Sequence, residues 1–358
     1  MWKEKIVCDL WAEKNKHYEF NKNIIVILEK NFHRNIKYFG EYNQINILKK
    51  DFNIDFEYII TVKNKQISQY ILYLKNILKI KNLGEDYFIL NSLIPIILFC
   101  KLILRNKNVF FFVHGLDFLT KKNLKYYIFK YFILYLNFFN KNSKFKYIVL
   151  GENIKENLVK IFPYMKEQIF SIDHPYSFEK EYGYKNINKI LSLGTVGITS
   201  KEKGLDNIFK FIEKNKKYNF KHIGKSISEI PEKFKKYFPY KDSFLEKDKF
   251  EEEILDLDYI LILYPKDSYK LTASGVYFDC IKYNKPLLGL KNEYFEYMFK
   301  KYGEIGKLFE TIDEIIEYLS QERIKLNLDY NIFHKNMKNI KKILNKNVEE
   351  QLREIIED

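Results

Sequence analysis

Arginine is nearly absent from this chain. Of 61 basic residues among 358, only Arg34, Arg105, Arg323 and Arg353 are arginine, and the other 57 are lysine. A net charge of +14 invites a nucleic-acid reading. Yet arginine is the side chain that forks onto phosphates and reads base edges, so its scarcity argues against sequence-specific nucleic-acid binding. The abundance of Lys, Asn, Ile, Tyr and Phe looks instead like the output of an AT-rich genome. What positive charge remains functional suits diphosphate ligands or an anionic membrane surface. Cysteine is also scarce. Cys8, Cys100 and Cys280 are odd in number, far apart and each in an apolar context, which excludes a disulfide framework and a CxxC redox or metal pair and fits a reduced cytoplasmic compartment. No run reaches the ~18 apolar residues of a membrane span, and the opening MWKEKIVCDLW holds no stretch of signal-peptide length. There is no HExxH and no Cys/His cluster, so no metal site is expected. Low-complexity segments and repeats are absent apart from the Lys/Asn bias.

What the chain does have is alternation. In its first half, strand-like apolar runs fall at Lys5 to Asp9, Ile36 to Phe39, Phe56 to Val62, Tyr87 to Asn91, Val109 to His114 and Phe145 to Leu150, with helical stretches such as Gln66 to Lys81 and Leu93 to Arg105 between them. Strand–helix alternation predicts a parallel sheet covered on both faces, with ligands beyond the carboxyl ends of the strands. The pattern restarts after Asp173-His174-Pro175, past a linker-like Tyr182-Gly183-Tyr184-Lys185-Asn186. Nine of the thirteen glycines lie at or beyond Gly183. Second-half strands are expected at Ile190 to Leu193, Asn219 to Ile223, Tyr259 to Leu263, Leu287 to Leu290 and Lys307 to Phe309, with helices opening at Leu205, Ser274, Glu293 and Ile312. Residues 322 to 357 read as a closing helix or a helix pair broken near Asn327 to Asn331.

Two segments of the second half carry chemistry. Leu263 to Leu290 runs from a buried strand through Thr272-Ala273-Ser274-Gly275 into a helix that places Asp279 one turn in. Free N–H groups at a helix start, aided by the dipole, attract phosphate. Gly275 would let a diphosphate approach the backbone, and Asp279 could accept hydrogen bonds from ribose. The plainer alternative is an N-capping serine and an exposed aspartate. Lys189 to Asp206, KILSLGTVGITSKEKGLD, is a short strand, a loop with Gly194 and Gly197, and Lys203-Gly204 at the mouth of the next helix.

Together these segments resemble the C-terminal half of GT-B glycosyltransferases, over most of residues 188 to 320. The resemblance implies an α/β protein of two Rossmann-like domains facing across a cleft: an acceptor domain over 1–175, a nucleotide-sugar donor domain over 188–330, and a C-terminal helix, 331–358, crossing back onto the first. It places Lys203 on the phosphate-pairing lysine, Ser274, Gly275 and Val276 on the phosphate-binding helix start, and Asp279 on the ribose-binding acid. The Gly224-Lys225 turn falls near the nucleotide, with Tyr264 and Lys270 flanking the phosphate turn; their alternatives are a packed tyrosine and a solvated lysine. The chain departs from many retaining members in carrying Thr195, counted here as a donor-binding candidate in the loop after the strand, where they have arginine, and Leu271 where they have glutamate, so neither donor sugar nor stereochemistry carries over.

In the first half, Phe110 to Asp117 is a buried strand ending in a polar turn, which brings His114 and Asp117 to the ligand edge as catalytic candidates. A histidine capping the next helix or bonding backbone is the alternative for His114. Asp9, Glu13 and His17 follow the first strand and could supply an acid or base, with nonspecific spacing. His222 reads as sheet packing and His174 as a hinge. Tyr126 to Phe139, flanked by lysines, reads as a buried helix, with membrane-surface docking as the minority alternative. The expected activity is a metal-independent hexosyltransferase, without cofactor, moving a sugar from a nucleotide-diphosphate donor, a UDP-sugar in first place, to a bacterial surface glycan or lipid-linked acceptor. A cytoplasmic location, with peripheral contact at the inner membrane face, is the matching expectation. A UDP-sugar epimerase, a degenerate glycan-binding subunit and a homo-oligomer stay open as alternatives.

Overall fold

Short strands, buried on both faces at the centre and partly exposed at the edges, build two parallel sheets. The computed structural model of the chain describes residues 4–10, 17–32, 35–59, 66–90, 94–120, 144–183, 187–215 and 217–358. Glu13, most of the Tyr126 to Phe139 stretch's surroundings and that stretch itself lie outside the described residues.

The first sheet contains β1 (Lys5–Cys8), β2 (Ile36–Gly40), β3 (Asp55–Tyr58), β4 (Asp86–Ile89), β5 (Asn108–Val113), β6 (Phe145–Val149) and β7 (Ile169–Ser171), in the order β3-β2-β1-β4-β5-β6-β7. All neighbours are parallel. β5 reads NVFFFV and is buried from its second residue on. That continuous apolar pattern is the signature of a strand covered on both faces. Helices α1 (Tyr18–Phe32), α2 (Tyr42–Leu48), α3 (Gln66–Ile80), α4 (Ile94–Ile103) and α5 (Glu152–Ile161) intervene between the strands. The sheet order reverses at β1/β4, so the crevice for a ligand lies at the carboxyl ends of those strands.

The second sheet holds β8 (Ser192–Val196), β9 (Asn219–Ile223), β10 (Tyr259–Ile262), β11 (Leu287–Leu290) and β12 (Gly306–Phe309), in the order β12-β11-β10-β8-β9 and parallel throughout. Its switch point is β8/β10. The helices are α6 (Leu205–Lys214), α7 (Lys247–Leu255), α8 (Gly275–Lys282), α9 (Glu293–Tyr302) and α10 (Ile312–Leu319). α6 shows why these segments are helical: Leu205, Ile208, Phe211 and Ile212 recur at three- and four-residue spacing and form its buried face.

β8 lies two to three residues beyond the expected Ile190 to Leu193. Ile190 is exposed, while Gly194, Thr195 and Val196 continue the ladder against β9. Gly194 belongs there because any side chain would strike Leu257 and the Lys221 carbonyl. The ligand loop therefore starts at Gly197.

The chain separates into two compact units, Met1–Ser177 with Leu271–Ala273 and Asn345–Asp358, and Phe178–Lys270 with Ser274–Leu344. The last helix, α11 (Arg323–Glu357), is a single unbroken element of 35 residues. The expected break near Asn327 to Asn331 does not occur. Leu326, Tyr330, Phe333 and Met337 carry a buried stripe through that region, and tertiary burial of such a stripe outweighs the weak helix propensity of asparagine. The Tyr330 hydroxyl also donates to the Asp258 carbonyl at 3.1 Å. Leu326 and Tyr330 join the core of the second unit, whereas Val348, Leu352 and Ile355 join that of the first. No helix among the described residues is long and apolar enough to cross a membrane.

Candidate functional site

At the carboxyl edge of the second sheet three loops lock together. The loop after β8 bonds the loop after β9 through Gly197 N–H to the Ile223 carbonyl at 2.9 Å and Thr199 N–H to the Lys225 carbonyl at 3.0 Å. Gly224 has φ +149, and a Cβ on it would collide with the Gly197 carbonyl, so only glycine permits this zipper. Gly204, at φ +79, presses in the same way on the Leu263 carbonyl, which also accepts from Asn207 Nδ2 at 3.0 Å. This close approach pins the start of α6 against the end of β10 and fixes Lys203 beside the switch point.

Lys203 is half-buried, and burial lowers the pKa of its ammonium. Among the described residues no carboxylate lies within 4 Å of it. A cation withdrawn from water without a counter-charge is costly, and an anionic ligand would offset that cost. The start of α8 supplies the complementary feature. Ser274 occupies the N-cap position, yet its side chain makes no capping hydrogen bond, which removes the capping-serine alternative. Its buried hydroxyl lies beside the Tyr264 phenol. Gly275 is exposed, and a Cβ there would meet nothing within 4 Å. The start of α8 thus has open space beside Gly275. Val276 contacts this loop system, 3.7 Å from where a Gly197 Cβ would stand. Asp279 is half-exposed on the same helix.

The other donor-side candidates divide. Thr195 lies inside β8, 5% exposed, with its hydroxyl hydrogen-bonded to His222 Nδ1 at 2.8 Å. That bond ties β8 to β9 just below their loops, and His222 packs in the sheet as its alternation suggests. Tyr264 is buried, stacked on Tyr269 with centroids 4.5 Å apart, as the packed alternative has it. The Lys270 ammonium bonds Asp267 across the turn at 2.8 Å. Lys225 stands over the Phe244 ring at 5.3 Å. Sequence reasoning passed over Thr199, whose hydroxyl is buried in the β8 loop with no hydrogen-bond partner among the described residues. It also passed over an Asp-x-Asp triplet, Asp256-Leu257-Asp258. Asp258 is structural: its carboxylate accepts from Asn188 N–H, Asn188 Nδ2 and Ser192 N–H.

The first sheet has its own cluster at its switch point. His114 follows β5, stacks on His17 with centroids 5.1 Å apart, and meets Phe20 edge-on at 4.3 Å. Phe20 also touches His174 at 5.8 Å. Asp9, fully buried after β1, accepts from Asn21 Nδ2 at 2.7 Å and lies 4.0 Å from His17 Nδ1. His114 bonds the Leu90 backbone at the end of β4; burial, then the neighbouring His17 and His174, push its pKa well below the ordinary value. It is a neutral imidazole at pH 7. Among the described residues no three His, Cys, Asp or Glu side chains are placed to hold a metal ion. Asp117 has a different position from that expected of a free acid: one carboxylate oxygen accepts the Leu271 N–H at 2.7 Å. His174, read as a hinge, belongs to this cluster, and its ring bonds the Pro175 carbonyl at 2.9 Å.

No family model matches the chain, and no curated protein matches it in sequence. Solved structures do. HepE from Anabaena, in complex with UDP-glucose, superposes with a TM-score of 0.69 at 10% identity, covering 99% of this chain and all of that one. The lipopolysaccharide outer core galactosyltransferase WaaB in its apo form gives 0.59 at 11% identity over 99% of both chains. The chain has the GT-B fold. A UDP-N-acetylglucosamine 2-epimerase shares the fold as well, with a TM-score of 0.57 at 14% identity over 99% of this chain and 95% of its own. In this GT-B chain the lysine, the uncapped helix start and the half-exposed acid all belong to the second Rossmann-like unit, and the histidine cluster belongs to the first.

The histidines predict acid sensitivity. Burial pushes His174 and His222 down to about 4, and burial with the Lys285 and Lys341 charges does the same to His334. Unfolded, each returns to about 6.5. Between those values the unfolded chain binds more protons, so stability falls as pH drops from about 6.5 towards 4. The urea midpoint should therefore be clearly lower at pH 5 than at pH 7.5. A midpoint that does not move would show that these rings are not held neutral.

Proposed function

We propose that this chain is a glycosyltransferase that moves a sugar from a nucleoside-diphosphate donor, a UDP-sugar, to a hydroxyl of a glycan or glycolipid acceptor. The observation that carries the reading is Lys203, a desolvated ammonium without a carboxylate partner, fixed at the same switch point onto which the uncapped start of α8 opens. Both features ask for a diphosphate. In transfer, the bond from the sugar's anomeric carbon to the diphosphate breaks, the electron pair goes to the diphosphate oxygen, and the acceptor oxygen bonds the anomeric carbon as its proton leaves. Lys203 and the helix N–H groups stabilise the charge that develops on the diphosphate. Asp279 accepts from the ribose hydroxyls, and neutral His114 takes the acceptor's proton or bonds the sugar. The matches to WaaB and to HepE with UDP-glucose support the same substrate class. Lysine-rich surface chemistry leaves a role for an anionic membrane in presenting the acceptor.

The cluster of Asp9, His17, His114 and His174, together with the epimerase likeness, favours one second reading: a UDP-sugar epimerase that needs no acceptor. Incubating the purified protein with a panel of nucleotide sugars separates the two. Slow release of UDP with an unchanged sugar supports the transferase, and an inverted sugar stereocentre supports the epimerase. Nucleotide binding without turnover leaves a catalytically degenerate subunit. Absence of binding to every nucleotide sugar sinks the donor site itself. Gly275→Val serves as the control. The residue has an ordinary φ and open space around its Cβ, so the variant should fold like the parent yet lose UDP binding by roughly tenfold or more as the branched side chain fills the phosphate space. Normal binding by this variant would move the phosphate site elsewhere.

A further inference from the structure

We propose that Tyr42 and Tyr58 form a platform that binds a sugar of the acceptor glycan away from the reacting hydroxyl, an inference that rests on the transferase reading. Tyr42 opens α2 directly after β2 and Glu41, and Tyr58 is the last residue of β3, opposite Gly40 in the ladder. Both rings therefore stand at the carboxyl edge of the first sheet, the edge at which His114 follows β5. Parallel sheets bind ligands beyond that edge. The rings are 58% and 40% exposed, with centroids 5.2 Å apart and planes tilted by 40°. A tilted pair does not satisfy its own faces as a parallel stack does, so each keeps apolar area in water.

The pair is also held still. The Glu41 carboxylate accepts from Gln44 N–H at 3.1 Å and from Asn43 Nδ2 at 2.8 Å, which fixes the first turn of α2. Beneath it the Tyr38 hydroxyl donates to Gln44 Oε1 at 2.8 Å. Lys49 Nζ stands 5.1 Å from the Tyr58 centroid and donates to its hydroxyl at 3.2 Å. Rigid aromatic faces lose little entropy on binding. Around them are phenol, amide and ammonium groups that suit ring hydroxyls. A pyranose matches this combination, since its C–H face is apolar and its rim is a ring of hydrogen-bonding groups. Among the described residues Lys49 is the one lysine set against the two rings, less than the basic density that a nucleic-acid strand needs.

The test uses the full-length protein and neutral hexasaccharides as probes: maltohexaose, cellohexaose and chitohexaose, followed by saturation-transfer NMR, with UDP titrated calorimetrically on the same samples. At least one hexasaccharide should bind the parent, Tyr42→Ala and Tyr58→Ala should each weaken it roughly tenfold, and Tyr42→Phe should keep most of the binding. UDP affinity should stay within about twofold of the parent in every variant. Because both side chains are exposed, thermal unfolding should hardly move. Failure of all three hexasaccharides to bind, or binding that survives the double alanine variant, overturns the platform. An equal loss of UDP affinity overturns it too, because the rings would then serve the donor. So does a parent dimer, seen in sedimentation, that becomes monomeric in the double variant. Tyrosine-dependent hexasaccharide binding by a protein that ignores UDP would support the platform and sink the transferase reading, so the two failures are told apart.

Discussion

Lys203→Ala is expected to weaken UDP binding by roughly 10- to 150-fold, the worth of one charge-assisted hydrogen bond at about 1.5 to 3 kcal/mol. The fold should not suffer. The ammonium is partly stripped of water, which lowers its pKa, and among the described residues no carboxylate lies within 4 Å of it. Its removal leaves no buried acid unpaired, so the ligand-free protein should unfold at the same urea concentration or a slightly higher one. This contrast distinguishes a ligand-binding lysine from a structural one. Loss of a structural cation leaves its partner charge buried and destabilises the protein. Calorimetric titration with UDP beside urea unfolding reads both quantities. Undiminished affinity would remove Lys203 from the diphosphate site, and a large drop in the urea midpoint would make it a structural residue. Lys203→Arg would not be a neutral control, because the planar fork is bulkier and hydrated differently.

The features legible in the sequence are those governed by local pattern. Buried runs such as β5's NVFFFV and β10's YILI announce two-sided strands, and Lys203-Gly204 and Ser274-Gly275 announce helix starts because glycine and helix onset are local events. The misread features depend on partners far along the chain. β8 was displaced because Ile190 looks like a strand residue until its exposure is known, whereas Gly194 looks like a loop residue until Leu257 packs against it. The unbroken α11 needed the core of the second unit, which takes in Leu326 and Tyr330, to carry it past Asn327 and Asn331. Thr195 resembled a loop residue facing a ligand, and its hydrogen bond to His222, 27 residues away, shows it facing inward. His17 and His174 lie 157 positions apart by their numbering and meet around Phe20 and His114 only because β1, β5 and β7 all run the same way. Residue spacing gives no hint of that meeting. Asp-x-Asp at 256–258 shows the reverse failure, a motif whose spacing suggests chemistry while its second carboxylate is spent on backbone and amide N–H groups.

His114→Ala is expected to lower sugar transfer by roughly 10²-fold or more while leaving UDP affinity within about twofold, because a group engaged chiefly in the transition state affects turnover and not ground-state binding. The structure gives the ring the state this role needs. Burial and two neighbouring imidazoles keep it neutral. Its bond to the Leu90 backbone raises the pKa, as a ring N–H donating to a carbonyl does, and a neutral imidazole that donates through one nitrogen accepts through the other. Because the pKa is pushed well below 6.5, transfer by the parent should not lose activity through His114 on going from pH 8 to pH 6.5. An ordinary histidine base would already be half protonated at the lower value. Asp117→Ala provides the comparison. Its carboxylate accepts the Leu271 N–H, so its loss should appear first as a lower unfolding midpoint, with transfer reduced in proportion to the misfolded fraction. If His114→Ala transfers sugar at the parent rate and stably folded Asp117→Ala does not, the proton passes to Asp117 and the histidine only braces the loop after β4.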